Sequence, residues 1–318
     1  MEFPRDHIPY SAVPDRRPLR LPKSARVVVW TIVNVEEWDI QGPMARTVLP
    51  PPGGASVVPD VPNFAWFEYG MRVGFWRLKA VLDKHRIKAT LAINASVCLS
   101  YPRIAEAARD SGWEFMGHGF TQKAMHLVED QREAIRKSVE VIQKFTGRAP
   151  LGWLGPGLTE TWETLDLLAE AGFQYVADWV NDDQPYEITT RAGAMVSLPY
   201  TVELNDIPMM IIQHHEAEEL YRRARDQFET LYAEGAKSAR FMAIAVHPYI
   251  TGVPHRIKYF DRIYTYLKKQ KGVLFWTGEE ILNWYRGQRG GGLRVAPGST
   301  FAGTESAEGG LGRGPSSG

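Results

Sequence analysis

Arg26 to Val33 reads Arg-Val-Val-Val-Trp-Thr-Ile-Val, a β-branched run with almost no polar alternation. A strand with one wet face alternates apolar and polar residues. A run like this one must be covered on both faces, the condition of a strand inside a parallel sheet flanked by helices. The rest of the chain repeats that demand. Strand-like segments follow at Ala89–Ile93, Trp113–Met116, Pro150–Leu154, Gln174–Ala177, Val196–Val202, Phe241–Val246 and Val273–Trp276, with a pairing strand expected over Met209–Gln213. Helical spacing fills the intervals: Arg72–His85, Pro102–Asp110, Val128–Phe145 closed by Gly147, Thr161–Ala171, Ala217–Ala233, Arg256–Lys269 and Gly278–Tyr285. About seven core strands with helical crossovers make one α/β domain, expected to be a parallel barrel. An irregular arm (1–25) precedes the barrel (26–286). A Gly- and Ser-rich stretch (287–318) is too poor in apolar residues to fold and is expected to be a disordered tail.

The polar residues with reactive side chains fall just past the strand ends. Asn34, Glu36 and Glu37 follow the first strand, His118 the third, Asp178 the fifth, Asn205 and Asp206 the sixth, and His247 the seventh. In a parallel barrel these ends open onto one face, so residues distant in sequence meet there. Glu36, Asp178 and His247 are the expected acid–base groups. The two adjacent glutamates must diverge, one toward the pocket and one toward a neighbouring loop. His118 and Gln122 are four apart and share a face if that segment is helical. An amide is a poor zinc ligand beside imidazole, thiolate or carboxylate. His126 could join them only if the helix continued. Asp182 and Asp183 read as turn-capping residues, and His214-His215 as at most a pocket rim. The loop Trp38–Asn63, with its Pro50-Pro51-Pro52-Gly53-Gly54 run, reads as a lid.

Composition excludes more than it names. The 37 basic and 37 acidic residues leave no electrostatic footprint for nucleic acid. The single cysteine, Cys98, lies in an apolar stretch, excludes an internal disulfide and reads as structural. The start of the chain lacks the apolar core of a signal peptide, and no stretch matches a membrane span, so a soluble cytoplasmic protein with no membrane partner is expected. No phosphate-cradling glycine loop, G-x-S-x-G elbow or paired-cysteine zinc pattern is present. Ten Trp and thirteen Tyr leave room for an aromatic-lined pocket.

Taken in order and spacing, these motifs resemble the polysaccharide deacetylase superfamily, in the branch with bacterial allantoinases, cyclic imidases and peptidoglycan-deacetylase-like enzymes. The resemblance runs from Phe3-Pro4-Arg5-Asp6 to Trp284. It rests on Asn34-Val35-Glu36-Glu37, Glu68-Tyr69-Gly70 with Arg72 and Trp76-Arg77, His118-Gly119, Gly147 to Trp153, Asp178 with Asp182-Asp183 and Pro185-Tyr186, Pro199-Tyr200 with Asn205-Asp206, and His247-Pro248 with Gly252, Pro254 and Arg256. It implies a distorted seven-stranded (β/α) barrel, a homo-oligomer such as a tetramer, and a small-molecule substrate held by Glu37, Glu68, Arg72, Trp153, Pro156, Asn205 and Asp206. Metal-dependent members carry Asp-x-Asp after the first strand and two histidines four apart. Here those positions are Asn34 and Glu36, and His118 and Gln122. The resemblance therefore implies either no cofactor or a weakly bound divalent metal such as zinc on Glu36, His118 and Gln122. Allantoinase-like members also read Asn-x-Glu-Glu, but their Arg-containing segment is replaced by Gly155-Pro156-Gly157. The leading expectation is a hydrolase of non-peptide C–N bonds in a small amide, imide or ureide. An N-acetyl sugar deacetylase comes second, and a non-catalytic binding protein with a degenerate site third.

Overall fold

The computed structural model describes residues 5–55 and 57–288. Nine strands form one sheet: β1 (Val27–Val35), β2 (Thr90–Ile93), β3 (Glu114–Gly117), β4 (Gly152–Trp153), β5 (Tyr175–Val176), β6 (Tyr186–Thr190), β7 (Gly193–Ser197), β8 (Arg240–Val246) and β9 (Val273–Phe275). Their order is β6-β7-β5-β4-β3-β2-β1-β8, with β9 beside the first three residues of β1. Only the β6–β7 pair is antiparallel, which leaves seven parallel strands along the path. The path stays open between β7 and β8, but the segment after β7 bends back and Asn205 pairs in parallel with Ala245 of β8. This is the α/β fold expected from the strand count.

The apolar run of β1 is explained by what each face meets. Val27, Val29, Val33 and Val35 pack in one core with Phe75, Leu78 and Leu82 of a covering helix. Val28, Trp30 and Ile32 pack in another with Ala92, Met116, Ala243 and Ala245 of other strands and with Leu154, Ala177 and Leu198, each one residue past a strand end. The first core lies between strands and helices, and the second fills the space the strands enclose. Both are dry, so period-two alternation is absent from the sequence although it is present in the structure.

Helices Val61–Tyr69 and Phe75–His85 are joined by a π-helical turn, Gly70–Gly74. This turn lies against Pro248–Thr251, the short helix that follows β8. A Cβ on Gly74 would stand 2.0 Å from the Pro248 carbonyl oxygen, and one on Gly252 would stand 2.3 Å from the same atom. These two glycines therefore set how closely the residues after His247 seat against the helix. Gly74→Ala is expected to lower stability by about 1–3 kcal/mol, the usual cost of overpacking against atoms that cannot retreat. Thermal denaturation checks this, with Gly287→Ala, which has nothing within 4 Å, as the unchanged control.

Several elements differ from the sequence reading. Met209–Gln213 is no strand: Ile207–Ile212 forms a π-helical turn with Pro208 in its first turn and Ile207, Met209 and Met210 all buried. The expected loop after Asp178 holds a hairpin, β6–β7, and β7 ends at Ser197, just before Pro199. The long helix starts at Gln131, not Val128, because the Asp130 side chain accepts the Glu133 N–H and caps it. Of the expected tail, residues 287 and 288 finish the last helix, Gly278–Gln288, and 289–318 lie outside the described residues. The long loop after Glu37 is anchored. Trp38 stacks on Phe67 at 4.5 Å, and Asn63 Oδ1 accepts the N–H groups of Val48 and Leu49. Among the described residues no helix is long and apolar enough to cross a membrane.

Candidate active site

Alternation along the strands decides which polar residues enter the interior. Asn34 and Glu36 are in phase with Val28, Trp30 and Ile32, so they continue the inward face of β1, Asn34 opposite Ala92 and Glu36 just past the end of the strand. Asn94 continues Ala92, His118 continues Met116, and His247 continues Ala243 and Ala245. These side chains form the top layer of the enclosed core. Glu37 is out of phase and turns away, as the adjacent pair required. Its backbone N–H donates to Asn94 Oδ1 at 2.8 Å.

Glu36 is the hub. Its Oε1 lies 3.4 Å from His247 Nε2, 3.6 Å from His118 Nε2 and 2.9 Å from the Gln122 amide nitrogen, which donates to it. Tyr249 OH donates to Oε2 at 3.4 Å. Glu36, His118 and His247 are only 7%, 2% and 3% exposed. Burial pushes the Glu36 carboxyl upward, but the neighbouring imidazoles of His247 and His118 outweigh it and hold the carboxyl well below the usual range.

His247 is gripped from behind by Asp206, which is fully buried. Asp206 Oδ1 accepts from His247 Nδ1 at 2.6 Å, and Oδ2 accepts the His247 backbone N–H at 2.8 Å and the Thr251 hydroxyl at 2.6 Å. Burial disfavours the imidazolium, yet Asp206 and Glu36 more than offset it and raise the ring to about 9. From the sequence, Asp178 is expected among the acid–base groups and Asp206 among the substrate contacts. The carboxylate behind His247 is Asp206, which spends its oxygens on His247 and Thr251, whereas Asp178 accepts the Gly155 N–H. His118 Nδ1 must donate to the Leu154 carbonyl at 2.6 Å, which leaves its Nε2 toward Glu36.

Gln122 takes the place at which the resemblance led one to expect a second histidine, and its orientation can be deduced. The Glu37 N–H can only donate, so Asn94 Oδ1 faces it. The Asn94 amide nitrogen then donates to the His118 carbonyl and, at 2.9 Å, to Gln122 Oε1. Gln122 therefore directs its NH2, not its oxygen, at Glu36 Oε1 and at His118 Nε2 3.3 Å away. A cation needs lone pairs at every corner, and here one corner presents hydrogens. The donors do not fit a metal, and among the described residues no group of three or more His, Cys, Asp or Glu side chains qualifies as a metal set. The helical explanation for the His118–Gln122 pairing also gives way: the segment turns at Gly119, with φ of 73°, and no helix spans it. Gln122→His exchanges the donor for an imidazole. The variant is expected to retain zinc through dialysis against a chelator where the parent does not, as read by elemental analysis.

The remaining expected residues are spread more widely. Trp153 is no substrate contact: it is fully buried against Phe173 and forms part of a separate core. Asn205 donates to Tyr200 OH at 3.4 Å and accepts from the Ile207 N–H, and Tyr200 in turn receives a bond from Asn34. Glu68 accepts from the Tyr101 hydroxyl, whereas Arg72 is exposed on the π-turn. Pro156 is buried against Gly119 and backs the His118 turn. Asp178 is buried one strand beyond β4, where it accepts the Gly155 N–H at 2.7 Å. Asp182 binds Arg16 and the Gln184 N–H, a structural role. His214 and His215 are exposed. Cys98 is buried, and burial pushes its thiol up to about 12, which suits a structural residue. Asn94, Tyr249 and Glu160 received no role from the sequence, and Tyr200 entered only as part of the Pro199-Tyr200 motif of the resemblance. Strand phase would have found Asn94, which continues β2 as Glu36 continues β1. No local signal gives Tyr249 or Glu160 a part in the site.

A carboxylate and a carboxylate-backed imidazole at the mouth of a parallel strand barrel are the parts of a hydrolase site. Comparison with known proteins narrows the class. Residues 64–176 match the polysaccharide deacetylase domain. A putative polysaccharide deacetylase of Schizosaccharomyces pombe is 30% identical over 234 residues, which cover 68% of this chain and 73% of that protein. The peptidoglycan deacetylase of Helicobacter pylori is 24% identical over 249 residues, 66% of this chain and 82% of its own. The crystal structures of a probable polysaccharide deacetylase from Pseudomonas aeruginosa and of the Puue allantoinase each share the fold with a TM-score of 0.79 at 24% identity. They cover 90% of this chain and 99% and 98% of their own. The chain belongs to the polysaccharide deacetylase family, and it is a hydrolytic enzyme acting on C–N bonds.

Proposed function

We propose that the enzyme hydrolyses the C–N bond of a small amide, imide or ureide, using Glu36 and His247 and no bound metal. The observation that carries this reading is the environment of Glu36 Oε1. An imidazole raised to about 9 and a fixed amide N–H converge on it, in a site almost closed to solvent. Glu36 takes a proton from water as the oxygen attacks the carbonyl carbon, and His247 gives its Nε2 proton to the departing nitrogen. The same imidazolium depresses Glu36, so once it has surrendered its proton the carboxylate becomes a stronger base. The proton collected by Glu36 then passes to His247 across the 3.4 Å that separates them, and the cycle closes.

Closure favours a small substrate over an extended glycan. The loop after Glu37 is pinned by Trp38, and Trp66, Phe67 and Tyr249 pack around one another at 4.7–5.2 Å on that side. We read this loop as a lid that must lift to admit substrate. The allantoinase among the fold neighbours supports the ureide class, and the names of the sequence relatives support an N-acetyl sugar as the alternative. A hydrolysis screen separates them, with allantoin, hydantoin, succinimide and N-acetylglucosamine oligomers each assayed with and without chelator. Turnover of a ring amide that survives chelation is the expected result. Acetate release from the sugars alone, abolished by chelator, would overturn both the substrate class and the metal-free mechanism.

A further inference from the structure

Glu160 and Asp178 form a second acidic centre beside the site. Asp178 is 8% exposed, and its Oδ1 accepts the Gly155 N–H. Glu160 Oε2 accepts from the Trp179 indole N–H at 3.2 Å. The other oxygen of each, Asp178 Oδ2 and Glu160 Oε1, is buried and receives no donor. Two orphaned carboxyl oxygens on groups within hydrogen-bonding reach of each other are both satisfied by one shared proton. Among the described residues no arginine or lysine is paired with either group. His126 faces the same cavity from the loop before the long helix. Tyr186 lies close enough to feel the charge of Glu160, and Tyr200 that of Asp178.

The pair lines a cavity of about 480 Å³ together with Leu158, Thr161, Trp162 and Trp179. Trp162, 70% exposed, forms the outer wall of the cavity. Leu154 holds His118 through its carbonyl, and Gly155, the next residue, holds Asp178 through its N–H. One turn of chain thus joins this cavity to the catalytic cluster. A carboxyl pair without a basic partner, walled by two indoles, is the chemistry that receives an organic cation: carboxylates take its N–H groups and the rings take its charge and its carbon skeleton.

We propose that this cavity is a binding subsite for a protonated amine, whose ammonium group displaces the proton shared by Glu160 and Asp178. The exchange balances: an ammonium ion enters, one proton leaves to solvent, and the pair changes from one negative charge to two as the ligand brings one positive charge. Both carboxyls are pushed up by burial, Glu160 to about 7, so the proton is in place near neutrality for the ligand to release. The subsite does not depend on which C–N bond the enzyme cleaves, and its test uses binding alone.

The probe is benzylammonium, with benzyl alcohol as its neutral counterpart, titrated calorimetrically at pH 6.5 in two amine-free buffers of different protonation enthalpy. The expected result is binding of the ammonium at least about tenfold tighter than the alcohol, with roughly one proton released per ligand. Glu160→Gln should keep its circular dichroism spectrum, lose the proton release and weaken binding by about tenfold or more. Trp162→Ala, an exposed position that does not threaten folding, should weaken binding with proton release intact. Equal binding of alcohol and ammonium, no binding of either, or ammonium binding without proton release would each overturn the proposal. If Glu160→Gln fails to fold, the buffer comparison on the parent protein and the Trp162→Ala titration decide the matter.

Discussion

His247→Ala is expected to reduce turnover by about 10²–10⁴-fold, the range for removing a general acid or base, while circular dichroism stays unchanged. The ring is buried between Asp206 and Glu36 and is the one imidazole at the site with a carboxylate on each nitrogen. His247→Gln should recover little, because an amide keeps a hydrogen bond to Glu36 but cannot hand over a proton. The pH profile gives an independent reading. With His247 raised to about 9, kcat/KM should stay level through neutrality and fall as pH rises through about 9. Folding stability follows the same sign: the part carried by the imidazolium is complete below the ordinary histidine value of 6.5 and is lost as pH climbs through 9. Glu36, held low, contributes above the ordinary carboxylate value of 4.5 and loses that contribution only in strong acid. The two statements describe one contact and are not additive. A folded His247→Ala enzyme with parental turnover would move the proton donor elsewhere.

Asp206→Asn should cost nearly as much, although Asp206 reaches the Nδ1 side of His247 and not the Nε2 that hands over the proton. The carboxylate accepts three hydrogen bonds, two of them on Oδ2 from the His247 N–H and the Thr251 hydroxyl. An asparagine must keep its single oxygen there, which turns its NH2 toward His247 Nδ1. That nitrogen then has to accept, so the ring proton shifts to Nε2 and the imidazolium loses its main support. We expect turnover to fall by about 10²–10⁴-fold, comparable to losing the acid itself. The basic limb of the pH profile should move below 9, toward the value of an unsupported buried histidine. The shifted limb is the diagnostic part, since a merely structural role would lower activity without moving it. Asp206→Ala should be harsher on stability, leaving His247 buried without its partner.

The scaffold and the register of the site are written locally along the chain. The unalternating run of β1 demanded two dry faces, and glycine, proline and helical spacing divided the rest into crossovers, because burial and backbone sterics act locally. That Glu36, His118 and His247 stand past strand ends was legible for the same reason, and strand phase points them inward. Tertiary structure alone decided their partners. Asp206 and Asp178 look alike in sequence, each an acid past a strand end. The bend after β7 carries one to His247, and the offset of β5 carries the other to Glu160. Trp153 sits on a strand beside a site motif, and only the packing of Phe173 and Gly117 around it shows that it belongs to the core. The orientation of Gln122 depends on a chain of bonds through Asn94 to the Glu37 N–H, residues from three separate strand ends. Hydrogen bonding is directional and acts over about 3 Å. It is therefore settled by which loops meet in space, a property that spacing along the chain does not carry.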